Sequence, residues 1–323
     1  MVPYLLGKRR GLTTCATAAG QFVVLALDHR QNLRRELRPA APDDVTYDQM
    51  VDFKLAVTRA LASTATGILL DPEVGAGQAI ADGAVPAGTG LIVALEATGY
   101  AGPSTARGSR VLPGWSAAAA KRIGASAAKL LVYYHPEASN AADQEALVAA
   151  VATDCRELDL ALFVEPLSFA LDGGKLTGED RRRVVIETAR RLTPLGMDVL
   201  KAEFPYEDSV TDHARWAEAC AELDDASAVP WVLLSGGVDH PTFEIQVELA
   251  CDAGASGALV GRSVWAGAAQ LAEPTRSDFL ATTAVERLAR LASGIGRHGR
   301  SWVPRWDSAV APDRPGEGWY TKT

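Results

Sequence analysis

Residues 127–132, AAKLLV, residues 160–164, LALFV, and residues 199–202, VLKA, are three short apolar runs without strict alternation. Strands of a parallel sheet read this way when both faces are covered, because neither side needs a polar residue for water. Working outward, five more runs of the same kind recur: Phe22 to Leu27, Gly67 to Leu70, Leu91 to Leu95, Trp231 to Leu234 and Gly257 to Val260. Between the eight lie Ala-, Glu- and Arg-rich stretches with helical periodicity, namely Tyr47 to Ala62, Trp115 to Ile123, Ala142 to Glu157, Gly178 to Leu192, Asp212 to Leu223 and Thr242 to Ala253. Each returns the chain to the start of the next strand. The repeat is about 33 residues, the size of one strand–helix–strand step. Eight such steps predict an α/β chain closed into a single (β/α)8 barrel.

No Pro-rich linker divides this interval, so one domain is expected over residues 1–323, with a barrel core from about residue 15 to residue 300. Beyond Trp302 the tail holds Pro304, Pro312 and Pro315 and is expected to be irregular. A doubly wound open sheet is the competing architecture. GAGQAI at residues 75–80 speaks against it, since it lacks the third glycine of a dinucleotide loop and follows no matching early strand.

Of the 323 residues 48% are hydrophobic and 22% charged, an ordinary composition for a folded protein. A net charge of -8 and a pI near 5.2 oppose a phosphate backbone, and the basic cluster Arg181 to Arg183 reads as a solvated helix face. Nucleic acid is therefore not expected as a partner. The start MVPYLLGKRR carries no leader pattern, and no stretch reaches the roughly 18 apolar residues a membrane span needs, so a cytoplasmic protein without a membrane partner is expected. Cys15, Cys155, Cys220 and Cys251 form neither a CxxC pair nor a dense disulfide pattern, and read as small buried hydrophobes.

In a barrel of this kind the active site is built at the C-terminal ends of the strands. Here those ends deliver Asp28, Asp71, Glu96, Glu165, Lys201, Ser235 and Arg262. Any one acid there is as well explained by a helix cap or a solvated rim. Lysine usage is more telling: the chain has 7 Lys against 25 Arg, yet Lys129 and Lys201 both sit inside apolar runs. An interior ammonium costs several kcal/mol of desolvation unless it is paired or neutral. One explanation is a structural ion pair with Glu165 or Glu203. The other is chemistry, since a lysine whose pKa is lowered by burial and a second cation is a nucleophilic amine able to form an imine with a carbonyl. Lys129 to Glu165 and Glu165 to Lys201 are each 36 residues, placing the three on consecutive strands where their side chains can converge. An imine draws electrons from a breaking carbon–carbon bond, and a carboxylate can move the protons; this is what an aldolase without metal or other cofactor needs. Ser235, Gly236 and Gly237 after the seventh run, and Gly261 and Arg262 after the eighth, stand where barrels recurrently hold phosphate.

The segments LALDHR, LLDPEVG, LEATGY, AAKLLVYY, FVEPLSF, DVLKAEFP, LLSGGV and LVGRSVWAG together resemble the tagatose-1,6-bisphosphate aldolase family of class I aldolases, which includes sulfofructosephosphate aldolases. The resemblance runs from about residue 20 to Trp302. It implies that Lys201 forms the Schiff base, assisted by Lys129 and Glu165. It further implies that Asp28 and the residues after it, with Glu96, line the substrate pocket, and that Ser235, Gly236, Gly237, Gly261 and Arg262 hold the phosphate of the dihydroxyacetone half. The implied reaction cleaves a six-carbon ketose phosphate to dihydroxyacetone phosphate and a three-carbon aldehyde. Two places depart from the family's pattern: Asp28-His29-Arg30 stands where Asp-Gln-Arg is common, and LEATGY lacks a lysine that often follows the glutamate. Both concern the distal half of the substrate. His29 and Arg30 are expected either to favour an anion there, His29 when protonated below about pH 6.5, or to pair with Asp28 or Glu96 and orient it.

Two other functions fit parts of the sequence. A metal-dependent lyase would draw on His29, His135 and His240, which follow the first, fourth and seventh runs without any HxH or HExxH spacing. A sugar-phosphate-binding regulator would keep the pocket without turnover, although both lysines and the glutamate are present. Association into a homo-oligomer is compatible with a tail of this length.

Overall fold

The computed structural model describes residues 4–207 and 209–321. The expected single domain over 1–323 therefore extends past the described residues at both ends. Eight parallel strands close into one barrel in sequence order: β1 (Phe22–Leu27), β2 (Gly67–Leu70), β3 (Gly90–Ala94), β4 (Ala127–Tyr133), β5 (Ala161–Leu167), β6 (Val199–Ala202), β7 (Trp231–Leu234) and β8 (Gly257–Val260). Closure is direct, with Val24 of β1 opposite Leu259 of β8.

Alternation along each strand divides the core in two. On β1, Phe22, Val24 and Ala26 point into the barrel, where they meet Leu69, Ile92, Phe163, Val199 and Leu259. Val23, Leu25 and Leu27 point outward and pack under the helices. The same parity turns Lys129 of β4, Glu165 of β5 and Lys201 of β6 inward, since Ala127, Phe163 and Val199, two residues before each, lie in the interior cluster. Lys129 pairs in register with Phe163, and Glu165 follows it by one inward position. The spacing of 36 residues is thus converted by strand register into a shared interior.

The helix Tyr47–Leu61 shows how local sequence sets the outer ring. Thr46 caps it and Gln49 reaches back to the Thr46 backbone, a capping box that satisfies two otherwise orphaned N–H groups. Met50, Phe53, Lys54, Val57 and Leu61 are buried, the stripe that a 3.6-residue period lays against the barrel. Some boundaries differ from expectation. The helix expected from Thr242 begins at His240, because Asp239 caps it and Pro241 fits a first turn whose N–H groups have no partner. β5 runs on through Pro166 to Leu167, where the Leu167 carbonyl accepts from Tyr134 N at 3.0 Å.

The tail is a correction. Beyond Trp302 the chain forms a helix, Val303–Val310, then an irregular stretch from Ala311 and a single 3-10 turn, Trp319–Thr321; Pro304 lies in the first turn of the helix and so starts it rather than breaking it. This helix closes the floor of the barrel. Trp302 stacks near Phe22 at 6.4 Å between ring centres, and Trp306 meets Trp302 edge-on at 5.6 Å. Beneath them both oxygens of Asp198 are hydrogen-bonded: Oδ2 accepts from Lys8 Nζ at 2.7 Å and Leu162 N at 2.8 Å, and Oδ1 accepts from Trp306 Nε1 at 2.9 Å. The N-terminal helix Leu6–Thr14 supplies Lys8 to this floor.

Candidate active site

With the floor sealed, the opposite end opens as a cavity of about 740 Å³. Asp28, His29, Arg30, Glu96, Glu165, Lys201, Ser235, Gly236, Gly261 and Arg262 line it, so ten of the twelve residues that the resemblance assigns to catalysis or substrate come together. The exceptions are informative. Lys129 lies one layer below, with no exposed surface, and Gly237 lies beneath Arg262. Gly237 has φ +92°, and a Cβ there would stand 2.9 Å from the Arg262 guanidinium, so this turn needs glycine twice over.

The two interior lysines differ in their surroundings. Lys129 Nζ is ringed by Asp28 Oδ2 at 2.8 Å, Glu96 Oε1 at 2.8 Å and Glu165 Oε2 at 2.7 Å. Burial alone would lower its pKa, but the Asp28, Glu165 and Glu96 carboxylates raise it well above the ordinary value. Lys129 is therefore a fixed ammonium. Lys201 has one acidic partner, Glu165 Oε2 at 2.9 Å, and its side chain reaches the cavity. Burial would raise the carboxyls of both Asp28 and Glu165, yet Lys129 and Lys201 hold Asp28 well below the usual carboxylate range and Glu165 also below it. By linkage, the stability these two carboxylates contribute is present above about pH 4 and is lost as the pH falls through their depressed values.

Around the rim the charges alternate. Glu96 Oε2 accepts from Leu131 N at 3.0 Å, and Arg30 donates to the Glu96 carbonyl at 2.9 Å while pairing with Glu73 at 2.7 Å. Arg30 thus spends its charge on Glu73 and Glu96. The structure favours the orienting role for it over a free anion-binding one. His29 sits edge-on to Trp265 at 5.2 Å, with Nδ1 3.9 Å from Asp28 and Gly261 close beside it. Burial pushes its pKa down to about 4, with Arg262 and Lys201 assisting against Asp28. Burial thus opposes the protonation of His29 that the sequence suggested below about pH 6.5, and the ring faces the β8 side.

At the β7 and β8 ends, Ser235, Gly236 and Gly261 present a glycine-rich turn, with the Ser235 side chain buried against Gly261. Arg262 opens the short helix Arg262–Trp265 and reaches Glu36 and the Gly236 carbonyl, each at 3.5 Å. Both contacts are long, so its donors are loosely held. Glu203, weighed as a lysine partner, belongs instead to Ser168, whose N and Oγ donate to it at 2.7 and 2.6 Å, and to Arg181 at 3.3 Å.

The histidines considered for a metal are not brought together: His135 packs near Phe169 at 6.0 Å, His240 lies 3.4 Å from Glu244, and neither lines the cavity. Among the described residues no group of three His, Cys, Asp or Glu side chains is placed to hold a metal ion. The sequence reading missed Lys54, whose ammonium is buried against Asp71, and Arg35, Arg107 and Tyr133 on the cavity wall. Lys54 was legible, since it falls on the apolar stripe of its helix.

A closed barrel with a polar, ion-paired cavity at its C-terminal mouth defines an enzyme of the (β/α)8 class. A family model described as DeoC/LacD family aldolase matches residues 22–267. The chain is 31% identical to tagatose 1,6-diphosphate aldolase 2 of Streptococcus agalactiae serotype III (strain NEM316), over 92% of this chain and 98% of that protein. It is 30% identical to tagatose 1,6-diphosphate aldolase of Lactococcus lactis subsp. lactis, with the same coverage. In fold it is similar to a structure described as a Schiff base forming fructose-1,6-bisphosphate aldolase, with a TM-score of 0.56 and 21% identity over 86% of this chain and 98% of that one. The chain belongs to the DeoC/LacD aldolase family, and it is an aldolase. The likeness drawn from the strand-end motifs is borne out. No helix among the described residues is long and apolar enough to cross a membrane.

Proposed function

We propose that the chain, as one barrel domain with its C-terminal helix, is a Schiff-base aldolase that cleaves a six-carbon ketose phosphate, of the tagatose or fructose 1,6-bisphosphate type, to dihydroxyacetone phosphate and a three-carbon aldehyde. One observation carries this reading: of the two interior lysines, only Lys201 faces the cavity, and it does so beside a single carboxylate. Lys201 Nζ attacks the ketone carbon C2, and the carbinolamine loses water to a protonated imine. A base removes the proton of the C4 hydroxyl, the C3–C4 bond breaks, and its electron pair moves into the imine to give an enamine as the aldehyde leaves. The enamine takes a proton at C3, and hydrolysis returns the amine and releases dihydroxyacetone phosphate. Glu165, 2.9 Å from Lys201, is the carboxylate placed to give and take these protons.

Lys129 keeps Glu165 and Asp28 ionised and in place. Ser235, Gly236, Gly261 and Arg262 hold the phosphate beside the ketone, where glycine turns admit backbone N–H groups and Arg262 adds a charge. Four free, buried cysteines accord with a reducing compartment, and we place the enzyme in the cytoplasm. The test is borohydride reduction in the presence of a ketose bisphosphate. It should inactivate the enzyme irreversibly and leave the reduced adduct on the peptide that contains Lys201, whereas an adduct on the Lys129 peptide alone reverses the assignment.

A further inference from the structure

The loop after β3 folds over the cavity mouth and carries Arg107 into its wall. The backbone around Arg107 is pinned. Ala101 and Gly108 exchange two hydrogen bonds of 2.8 Å, Asn140 Nδ2 donates to the Arg107 carbonyl at 2.9 Å, and Ser109 N donates to Gln144 Oε1 at 2.9 Å. Ser109 Oγ in turn accepts from Tyr133 N at 2.8 Å, tying the loop to β4. The guanidinium then lies 4.9 Å from the ring centre of Tyr100, 5.2 Å from Phe169 and 5.8 Å from Tyr133. Three rings fix its position without neutralising it.

Its donors are not consumed. Nε donates to the Ser104 carbonyl at 3.1 Å, but among the described residues neither terminal nitrogen has an acceptor and no carboxylate lies within ion-pairing distance. Arg30 and Arg262, at the same mouth, each have an acidic partner. A half-buried guanidinium packed among three rings on the cavity wall, with no carboxylate of the described residues beside it, keeps both terminal nitrogens available to an anion in the cavity. The position is also specific. β4 stands four strands from β8 in a closed ring of eight, so the Arg107 wall faces the Gly261–Arg262 turn across the barrel. Tyr133, 5.8 Å from the Arg107 guanidinium, feels the charges of both Arg107 and Glu165.

We propose that Arg107, held by Tyr100, Tyr133 and Phe169, determines specificity at the distal end of the substrate by binding a tetrahedral oxyanion there, phosphate or sulfonate. This rests on the aldolase reading above: with the proximal phosphate at β8 and the ketone carbon on Lys201, the remaining carbons extend toward β4. Planar fork donors match such an oxyanion with paired hydrogen bonds.

The experiment compares kcat/KM of the full-length enzyme for a ketose 1,6-bisphosphate, a 6-sulfo ketose 1-phosphate and a ketose 1-phosphate with a neutral distal hydroxyl. Arg107→Met keeps an unbranched stem among the rings and should lower the ratio of charged to neutral kcat/KM by about 30-fold, the order expected for charge-assisted bonds. Arg107→Lys keeps the charge without the fork and should fall between the two. Whichever charged substrate shows the larger loss names the group, phosphate or sulfonate. An unchanged ratio in both variants overturns the inference. Borohydride trapping of the wild type with the ketose 1-phosphate separates this from the wider reading: an imine that forms while the ratio stays fixed leaves the aldolase intact and removes Arg107 from it. No imine with any of the three substrates removes both.

Discussion

The barrel holds a buried lysine–carboxylate pair at each end, and the two are built differently. At the floor, Asp198 is completely buried and receives three donors, from Lys8, Leu162 and Trp306, so both of its oxygens are hydrogen-bonded. At the mouth, Glu165 stands between two ammonium groups, and its Oε2 makes no hydrogen bond of good geometry with either, although both lie within 2.9 Å. A carboxylate sealed away with its lysine holds a fold together; Glu165 instead lines the cavity beside a lysine that reaches it too. Burial of a lysine therefore does not separate structure from chemistry. Access of the pair to the cavity does.

That contrast can be broken by substitution. Lys201→Met should remove about 10,000-fold or more of kcat, since the nucleophile is lost outright, while the melting temperature stays close to wild type. A large fall in stability with residual turnover would place Lys201 with the structural pairs. Asp198→Ala should do the reverse. It leaves the Lys8 ammonium buried without a partner, so denaturant unfolding should show a loss of about 3–5 kcal/mol, with turnover per folded molecule retained. Glu165→Gln, nearly isosteric, should lower kcat by about 100-fold through lost proton transfer. Its stability cost should be smaller than that of Asp198→Ala, because Lys129 keeps Asp28 and Glu96.

Two smaller effects sharpen the picture of the mouth. Arg262→Ala should weaken phosphate-bearing substrates by about 1.5–3 kcal/mol, the worth of a charge-assisted hydrogen bond, and hardly affect an analogue without phosphate. Equal losses for both analogues would make its contact with Glu36 the whole of its role. The smallest expected signal is at His29. With its pKa pushed down to about 4, its imidazole resonance, assigned by comparison with His29→Gln, should show no titration between about pH 5.5 and 8 by NMR. A midpoint near 6.5 would restore the anion-sensing role that the sequence suggested.

The strands were legible because their apolar runs have to be continuous: a residue such as Ile68 or Val232 is covered whichever way it points. The catalytic candidates were legible for a related reason, since Lys129, Glu165 and Lys201 interrupt such runs, and an interruption of that cost stands out. What escaped notice lacks that contrast. Lys8 lies on a helix whose sequence, LGKRRGLTT, gives no sign that its third residue is buried, because its partner Asp198 comes from just before β6. Arg107 sits in a loop of small residues with no period at all, and the aromatic groups that hold it come from three separate segments. Tertiary partners decide such cases, and no local pattern encodes them.

The floor also has a consequence for synthesis. Asp198 meets Lys8, from a helix that precedes β1, and Trp306, from a helix that follows β8, so its partners come from either side of the whole barrel. All eight strands emerge before Trp302 and Trp306 do. Until those two indoles arrive, the nascent barrel exposes Phe22 and the carboxylate beneath it, an apolar opening of the sort that holdase chaperones cover. Contacts of such long sequence separation form late and slowly. The helix Val303–Val310 thus acts as a latch across a sheet whose eight strands all precede it in the chain.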